Sequence, residues 1–229
     1  MAISRSVDQS AIGRKFLDIP RTAVALAVIA VALDFVCVNM GNYGYFYGEV
    51  RTCLATIMFA FAVCLSDGDH KSLGLRASPV QGWSPWIFTS LKIGGAVAVC
   101  IVVGLGSWFA MDHSLSFPVT ELSQACPRFM RMCLVAPTVE EAVYRLLACG
   151  LVAAILGKKT TIALSGVLFG YLHVLYGNPS PENLVGGFFL AWSFLKSETI
   201  LVPVALHSVG NLLVLVAQIV AWYLQGGTG

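Results

Sequence analysis

The chain has 229 residues, of which 57% are hydrophobic and only 11% are Asp, Glu, Lys or Arg, against about 25% charged in an ordinary soluble domain. With a mean hydropathy of +0.79, there is too little polar surface to cover a water-soluble globule, and disorder, collagen-like repeats, coiled coil and nucleic-acid binding are excluded. The net charge of +2 says little about partners; the composition is that of a polytopic integral membrane protein.

Residues 1–20 are polar and basic, and the run after them is long enough to span a membrane. No small-residue cleavage pattern follows, so they are expected to form a cytoplasmic N-terminal segment ahead of a retained first helix. A spanning helix needs about 20 mostly apolar residues. Candidates fall at roughly 21–40, 50–66, 86–110, 129–156, 160–177, 183–196 and 199–224. The second, fifth and sixth are short, which leaves room for one re-entrant segment. Residues 66–85 form the longest polar loop, and 111–128 an irregular stretch with room for a short amphipathic interface helix. Lipid admits only helices or closed barrels, and the apolar runs lack the period-2 alternation of a barrel. The expected fold is all-α: residues 21–229 as one domain, a bundle of about seven (six to eight) transmembrane helices.

Basic residues set the orientation. Arg5, Arg14, Lys15, Arg21, Lys71, Arg76, Lys158, Lys159 and Lys196 all fall on one side of a seven-span arrangement, which the positive-inside rule makes cytoplasmic. The opposite loops carry Glu49, Asp112, Glu121 and Glu182, with Arg51, Arg128 and Arg131 dissenting. The N-terminus is therefore expected inside. The seven Cys (37, 53, 64, 100, 126, 133 and 149) sit mostly in apolar runs without C-x-x-C spacing. They read as small hydrophobes rather than metal ligands or a disulfide framework.

The informative residues are polar groups inside apolar runs, since a charge at a helix centre costs about 2.5–3.5 kcal/mol even on a lenient insertion scale. Such groups face a bundle interior or a water-filled cavity and are functional candidates by default. Three clusters stand out. In APTVEEAVYRLLACG, Glu141 and Arg145 share a face at i,i+4 and can pair. Glu140 is turned about 100° away without a local counter-charge. Pro137, just before, weakens the helix because it has no N–H to donate. In SGVLFGYLHVLYGNP, Phe169 and His173 share a face, and Ser165, Gly166 and Gly170 would admit a neighbouring helix closely. In LVPVALHSVGNLL, His207 and Asn211 lie one turn apart, and Pro203 would free a backbone carbonyl and bend the helix toward them. Each cluster alone could be structural: an ion pair, a packing histidine, interhelical hydrogen-bond glue. Asp34 and Lys92 are lone charges in other spans; Lys92 can snorkel, whereas Asp34 has no evident explanation.

One carboxylate, two imidazoles and an amide suit hydrolysis with water as nucleophile. Glu140 could act as general base, His173 could share the water, and His207 with Asn211 could stabilise an oxyanion. The same Glu140, His173 and His207 could hold zinc instead; H-E-x-x-H is absent, and spacing does not choose between metal and no metal.

The ordered set E-E-x-x-x-R, F-x-x-x-H, H-x-x-x-N over about residues 125–220 resembles the CPBP family of intramembrane endopeptidases, which includes the CAAX prenyl protease 2 group and bacterial Abi-type proteins. The resemblance implies Glu140 as catalytic base, His173 as its water-sharing partner, and His207 and Asn211 as the oxyanion site. Glu141, Arg145 and Phe169 are then supports. It implies a glutamate-dependent mechanism needing no metal, although the family was first described as metalloproteases. Family members often have eight spans where about seven are expected here.

Counting 1.5 Å per residue from the cytoplasmic lysines puts Glu140 about 27 Å, His173 about 21 Å and His207 about 16 Å into the membrane. That depth lies in the outer half of a bacterial inner (plasma) membrane. It fits trimming the C-terminal anchor of an exported protein, as the sorting-enzyme (myxosortase-like) branch is thought to do. The expected partners are a membrane-anchored protein or lipidated peptide substrate and the bilayer, with no nucleic acid. The alternatives are a non-enzymatic transporter or scaffold, for which no inverted repeat is visible, and a sorting transpeptidase using Cys149 with Arg145 and a His.

Overall fold

The computed structural model describes residues 11–40, 47–111, 118–179 and 181–226. It is 81% helical, with seven helices and no strand among the described residues. The helices are α1 (Pro20–Asn39), α2 (Tyr47–Leu65), α3 (Ser84–Ala110), α5 (Lys158–Leu175), α6 (Pro181–Ser197) and α7 (Leu201–Leu224). Between α3 and α5 lies α4, an end-to-end run of five pieces: Ala125–Phe129, a π segment Met130–Val135, Ala136–Glu141, a second π segment Ala142–Cys149, and Gly150–Leu156. Pro20 opens α1 at a position where a missing N–H is no loss. Gly157, at φ +80°, closes α4 in a conformation that L side chains resist.

Four helical stretches are long and apolar enough to cross a membrane: Pro20–Asn39, Gly48–Leu65, Ser84–Gly104 and Leu201–Leu224. The other three expected spans are helices but differ for physical reasons. α4 carries five charges (Arg128, Arg131, Glu140, Glu141 and Arg145), α5 opens on Lys158 and Lys159, and α6 is only 17 residues long. Large apolar side chains such as Val28, Ile57, Phe61, Phe88, Leu91, Val102 and Leu213 are exposed on the long helices. Contiguous apolar surface of this kind marks a membrane-facing protein rather than a soluble monomer.

The chain divides into two compact units. Unit one comprises residues 1–80 and 138–204; unit two comprises 81–137 and 205–229. In unit one, α1 turns its small residues Ala23, Ala27 and Ala30 toward Leu146, Leu147 and Leu151 of α4, with Ala62 of α2 in the same cluster. Small side chains allow this close helix approach. Of the N-terminal segment expected over 1–20, residues 1–10 lie outside the described residues, and residues 12–18 pack onto the core. Ile12 and Phe16 are fully buried, and Arg14–Asp18 forms a 3₁₀ turn.

The 66–80 stretch, expected as a loop, is a knot of turns that ties the N-terminus to the α6–α7 connection. Gly13 N–H donates to the Ser72 carbonyl at 2.8 Å, and Ile200 N–H donates to the Gly74 carbonyl at 2.9 Å. Thr199 Oγ1 donates to the Arg76 carbonyl at 2.6 Å, and Arg76 pairs with Glu198 at 3.1 Å. The Ser72 hydroxyl donated to Asp69 holds that carboxyl below its usual range. Gly13 is required here on two counts: φ is +78°, and a Cβ would sit 2.8 Å from the Ala154 backbone nitrogen. Lys15, Arg76 and the α6–α7 turn, all expected on the basic side, thus gather at one end of unit one.

The α5–α6 contact bears out the expected close approach at Gly166 and Gly170. A Cβ on Gly166 would lie 2.5 Å from the Phe188 ring, and one on Gly170 would lie 3.0 Å from Leu184 Cα. On the α6 side, a Cβ on Gly187 would meet the Gly166 carbonyl and Phe169 Cβ at 3.0 Å. Gly187→Val is expected to cost about 1–3 kcal/mol by overpacking, read as a lower thermal unfolding midpoint in detergent. An unchanged midpoint would mean the two helices can part without loss.

In unit two, residues 118–120 are extended and Leu122–Gln124 forms a 3₁₀ turn into α4, so helix begins earlier than the expected residue 129. Residues 112–117 of the expected irregular stretch, with Asp112, lie outside the described residues. Buried Thr120 is pinned to α7 by its backbone N–H to the Gln218 carbonyl at 3.2 Å and its hydroxyl to Gln218 Oε1 at 2.8 Å. Arg128 Nη1 reaches the Thr120 hydroxyl at 3.0 Å. Lys92 on α3 is exposed, as a snorkelling residue would be.

Candidate active site

Glu141 and Arg145 pair as expected, with Nε 3.1 Å from Oε2 and neither side chain exposed. The two atoms are close without being aligned as a hydrogen bond. Arg145 is fixed further by Nη1 donating to Ser165 Oγ at 3.1 Å and by the Phe169 ring, whose centroid is 4.9 Å from the guanidinium carbon. A guanidinium over a ring face gains cation–π attraction, strengthened where water is absent. Phe169 therefore supports the pair from α5. The whole assembly sits at the second π segment, a helix form often found at functional sites.

Glu140 does not stand without a counter-charge. Arg51 Nη1 is 3.4 Å from Glu140 Oε1. Arg51 lies within α2 rather than in a loop, and its guanidinium is clamped by Asp34 of α1, with Nε to Oδ1 at 2.6 Å and Nη2 to Oδ2 at 3.0 Å. The fork geometry of arginine makes such a two-point carboxylate clamp. Asp34 also accepts from the Tyr144 hydroxyl at 2.7 Å, and that oxygen lies 3.3 Å from the Tyr176 hydroxyl. Asp34 is thus an anchored member of a polar chain running from α1 through α2 to α4 and the C-terminal end of α5. The local expectation failed because Arg51 is separated from Glu140 by 89 residues and meets it only through tertiary packing. The legible signal was a second embedded pair of opposite sign, Asp34 and Arg51, on consecutive helices.

His173 lies on α5 in the same ring cluster. Its ring is 4.3 Å from Phe169 and 6.0 Å from Tyr176, and Tyr144 meets Phe169 edge-on at 5.4 Å. His173 Nδ1 lies 2.8 Å from the Phe169 carbonyl, which can only accept. Nδ1 is therefore the protonated nitrogen, and in the neutral ring Nε2 is left as an acceptor.

Unit two holds His207 and Asn211, both half-buried on α7. Asn211 Nδ2 donates to the Met132 carbonyl at 2.7 Å. Met132 is five residues before Pro137, in the first π segment. Proline has no N–H to return to a carbonyl on the preceding turn, and the Asn211 amide serves that carbonyl instead. One of its two N–H groups is thereby committed. Pro203 does not act as expected: it sits in the first turn of α7, where the absent N–H would have had no intrahelical partner.

Among the described residues, no group of three His, Cys, Asp or Glu is placed to hold a metal ion. The Arg51 guanidinium against Glu140 also competes with a divalent cation for that carboxylate. Cys149 is buried in an apolar cluster with Ile12, Ala153, Ala191, Phe194 and Leu195. Cys37 and Cys133 are likewise buried, and all seven cysteines are free.

The described residues set carboxylates, a guanidinium and an imidazole among apolar helices, where such groups mark a functional site. Residues 122–213 match the family model described as type II CAAX prenyl endopeptidase Rce1-like, a stretch that contains all three motifs. Over that stretch the chain is similar to the CAAX protease family. No curated protein matches the chain, and no solved structure does.

Proposed function

We propose that the protein hydrolyses a peptide bond near the C-terminus of a membrane-anchored protein, with a water activated by Glu140. One observation carries the assignment of the base. Of the three carboxylates packed among the helices of unit one, Glu140 alone keeps a reachable face. Its side chain is 14% exposed, against 1% for Asp34 and 0% for Glu141. A general base must approach its proton donor to hydrogen-bond distance, and only Glu140 can.

In this reading Glu140 accepts a proton as the water oxygen bonds to the scissile carbonyl carbon. His173 Nε2, the acceptor nitrogen of the ring, shares the same water. The family resemblance gives the oxyanion to His207 and Asn211 of α7, residue types that can donate where donors contribute most. Collapse of the tetrahedral intermediate breaks the C–N bond, and the proton held by Glu140 passes to the leaving amine. No metal is required. The basic end of unit one faces the cytoplasm and Glu140, beside the early turns of α2, lies in the outer half of a bacterial inner membrane. That arrangement favours an exported, C-terminally anchored substrate, as in the sorting branch of the family.

The test is a comparison of the exported proteome of a strain carrying Glu140→Gln with its parent. A protein that keeps its C-terminal anchor only in the variant supports the reading; identical proteomes would sink it. The cysteine alternative is tested beside it. Cys149→Ala and exhaustive chelation are each expected to leave cleavage within about twofold of the untreated wild type, because neither a buried thiol nor a metal supplies the nucleophile. Loss of cleavage in Cys149→Ala with retained folding would restore the transpeptidase.

A further inference from the structure

We propose that Asp34 and Arg51 form a positioning device for Glu140, holding its carboxylate aimed at the water; the inference rests on the proposed role of Glu140. Three observations build it. Arg51 uses two nitrogens on Asp34 and presents a third to Glu140, so one rigid planar group links the two carboxylates. Asp34 is itself held by Tyr144, which follows Glu140 on α4 by about one helical turn. The space behind the guanidinium, lined by Asp34, Cys37 and Leu54 among others, is a cavity of only about 10 Å³. That is room for at most one water, so on that side the guanidinium has no space to move into.

The chemistry follows from the geometry. A guanidinium fixed 3.4 Å from Oε1 sets the direction in which the Glu140 carboxylate points. Asp34 sets the position of that charge by its two-point clamp on the guanidinium. Other charged or titratable groups on the same elements of unit one are Glu141, Arg145 and Tyr144 on α4, His173 on α5, and Tyr176 at its C-terminal end. Glu141 and Arg145 neutralise one another. Arg51 touches neither the scissile bond nor the water in this account and is a positioning residue.

The test uses full-length protein in proteoliposomes and the precursor that accumulates in the Glu140→Gln strain. Arg51→Gln is expected to lower kcat by about a hundredfold, the scale of a misaligned group, with KM changed by less than about threefold. Arg51→Lys keeps the charge without the fork and is expected to recover about tenfold of that loss. A purely structural role predicts equal losses in both variants, and that result overturns the proposal, as does a loss confined to KM. A substrate-free readout separates this outcome from failure of the protease reading. Dicyclohexylcarbodiimide adds to membrane-embedded carboxyls, so Glu140, once released from Arg51, should be labelled at least about fivefold more in Arg51→Gln than in wild type. Equal labelling would contradict the proposal whether or not a substrate is found.

Discussion

Glu140→Gln is expected to reduce cleavage by about 10²–10⁴-fold, the range associated with loss of a positioned general base, while the protein still folds. The substitution keeps the shape of the side chain and removes only its capacity to accept a proton. The amide that replaces the carboxylate can still offer its oxygen to Arg51, so the Arg51–Asp34–Tyr144 chain survives. The expected signature is a thermal midpoint near that of wild type with cleavage lost. Cleavage at the wild-type rate would move the base elsewhere. A collapse of folding would instead make Glu140 a structural ion-pair member.

The second large effect falls on the neighbouring residue pair and has the opposite character. Arg145→Met is expected to cost about 3–5 kcal/mol of stability, because it leaves Glu141 as a buried charge with its partner gone. Both side chains are wholly enclosed, so solvent cannot relieve the charge. The change also empties the guanidinium's place over Phe169 and its bond to Ser165. Replacing both members together, Glu141→Met with Arg145→Met, should recover most of the loss, since a buried pair exchanged for apolar groups of similar volume is close to neutral. Denaturant unfolding in detergent reads both. If the single variant is no less stable than the double, the pair is not what holds α4 in place.

The contrast between adjacent residues was partly legible in the chain itself. Glu141 and Arg145 at i,i+4 announce a pair, and Glu140 falls on another face by helical geometry alone. The glycines of α5 likewise announced a close neighbour, which proved to be α6. What could not be read was anything that depends on two distant segments meeting. Arg51 stands near the start of α2 and looks like a loop cation until α1, α2 and α4 are packed together. The two π segments follow from register choices within α4. Only Pro137 hinted at the first of them, through the carbonyl that Asn211 comes to serve. The folded N-terminus was partly visible in retrospect. Ile12, Gly13 and Phe16 interrupt a polar stretch, and they are the residues that pack against the core. The polar character of the 1–20 segment outweighed them because pattern alone does not distinguish a docked turn from a free tail.

The most direct test of the central claim, that Glu140 activates a water to cut a membrane-anchored protein, is cleavage in heavy-oxygen water followed by mass spectrometry of the new C-terminus. Hydrolysis by a Glu140-activated water predicts one heavy oxygen in the product carboxylate with wild type and no product with Glu140→Gln. A product free of label, or one joined to an acceptor amine, would contradict the account and return the reaction to a covalent intermediate on the enzyme.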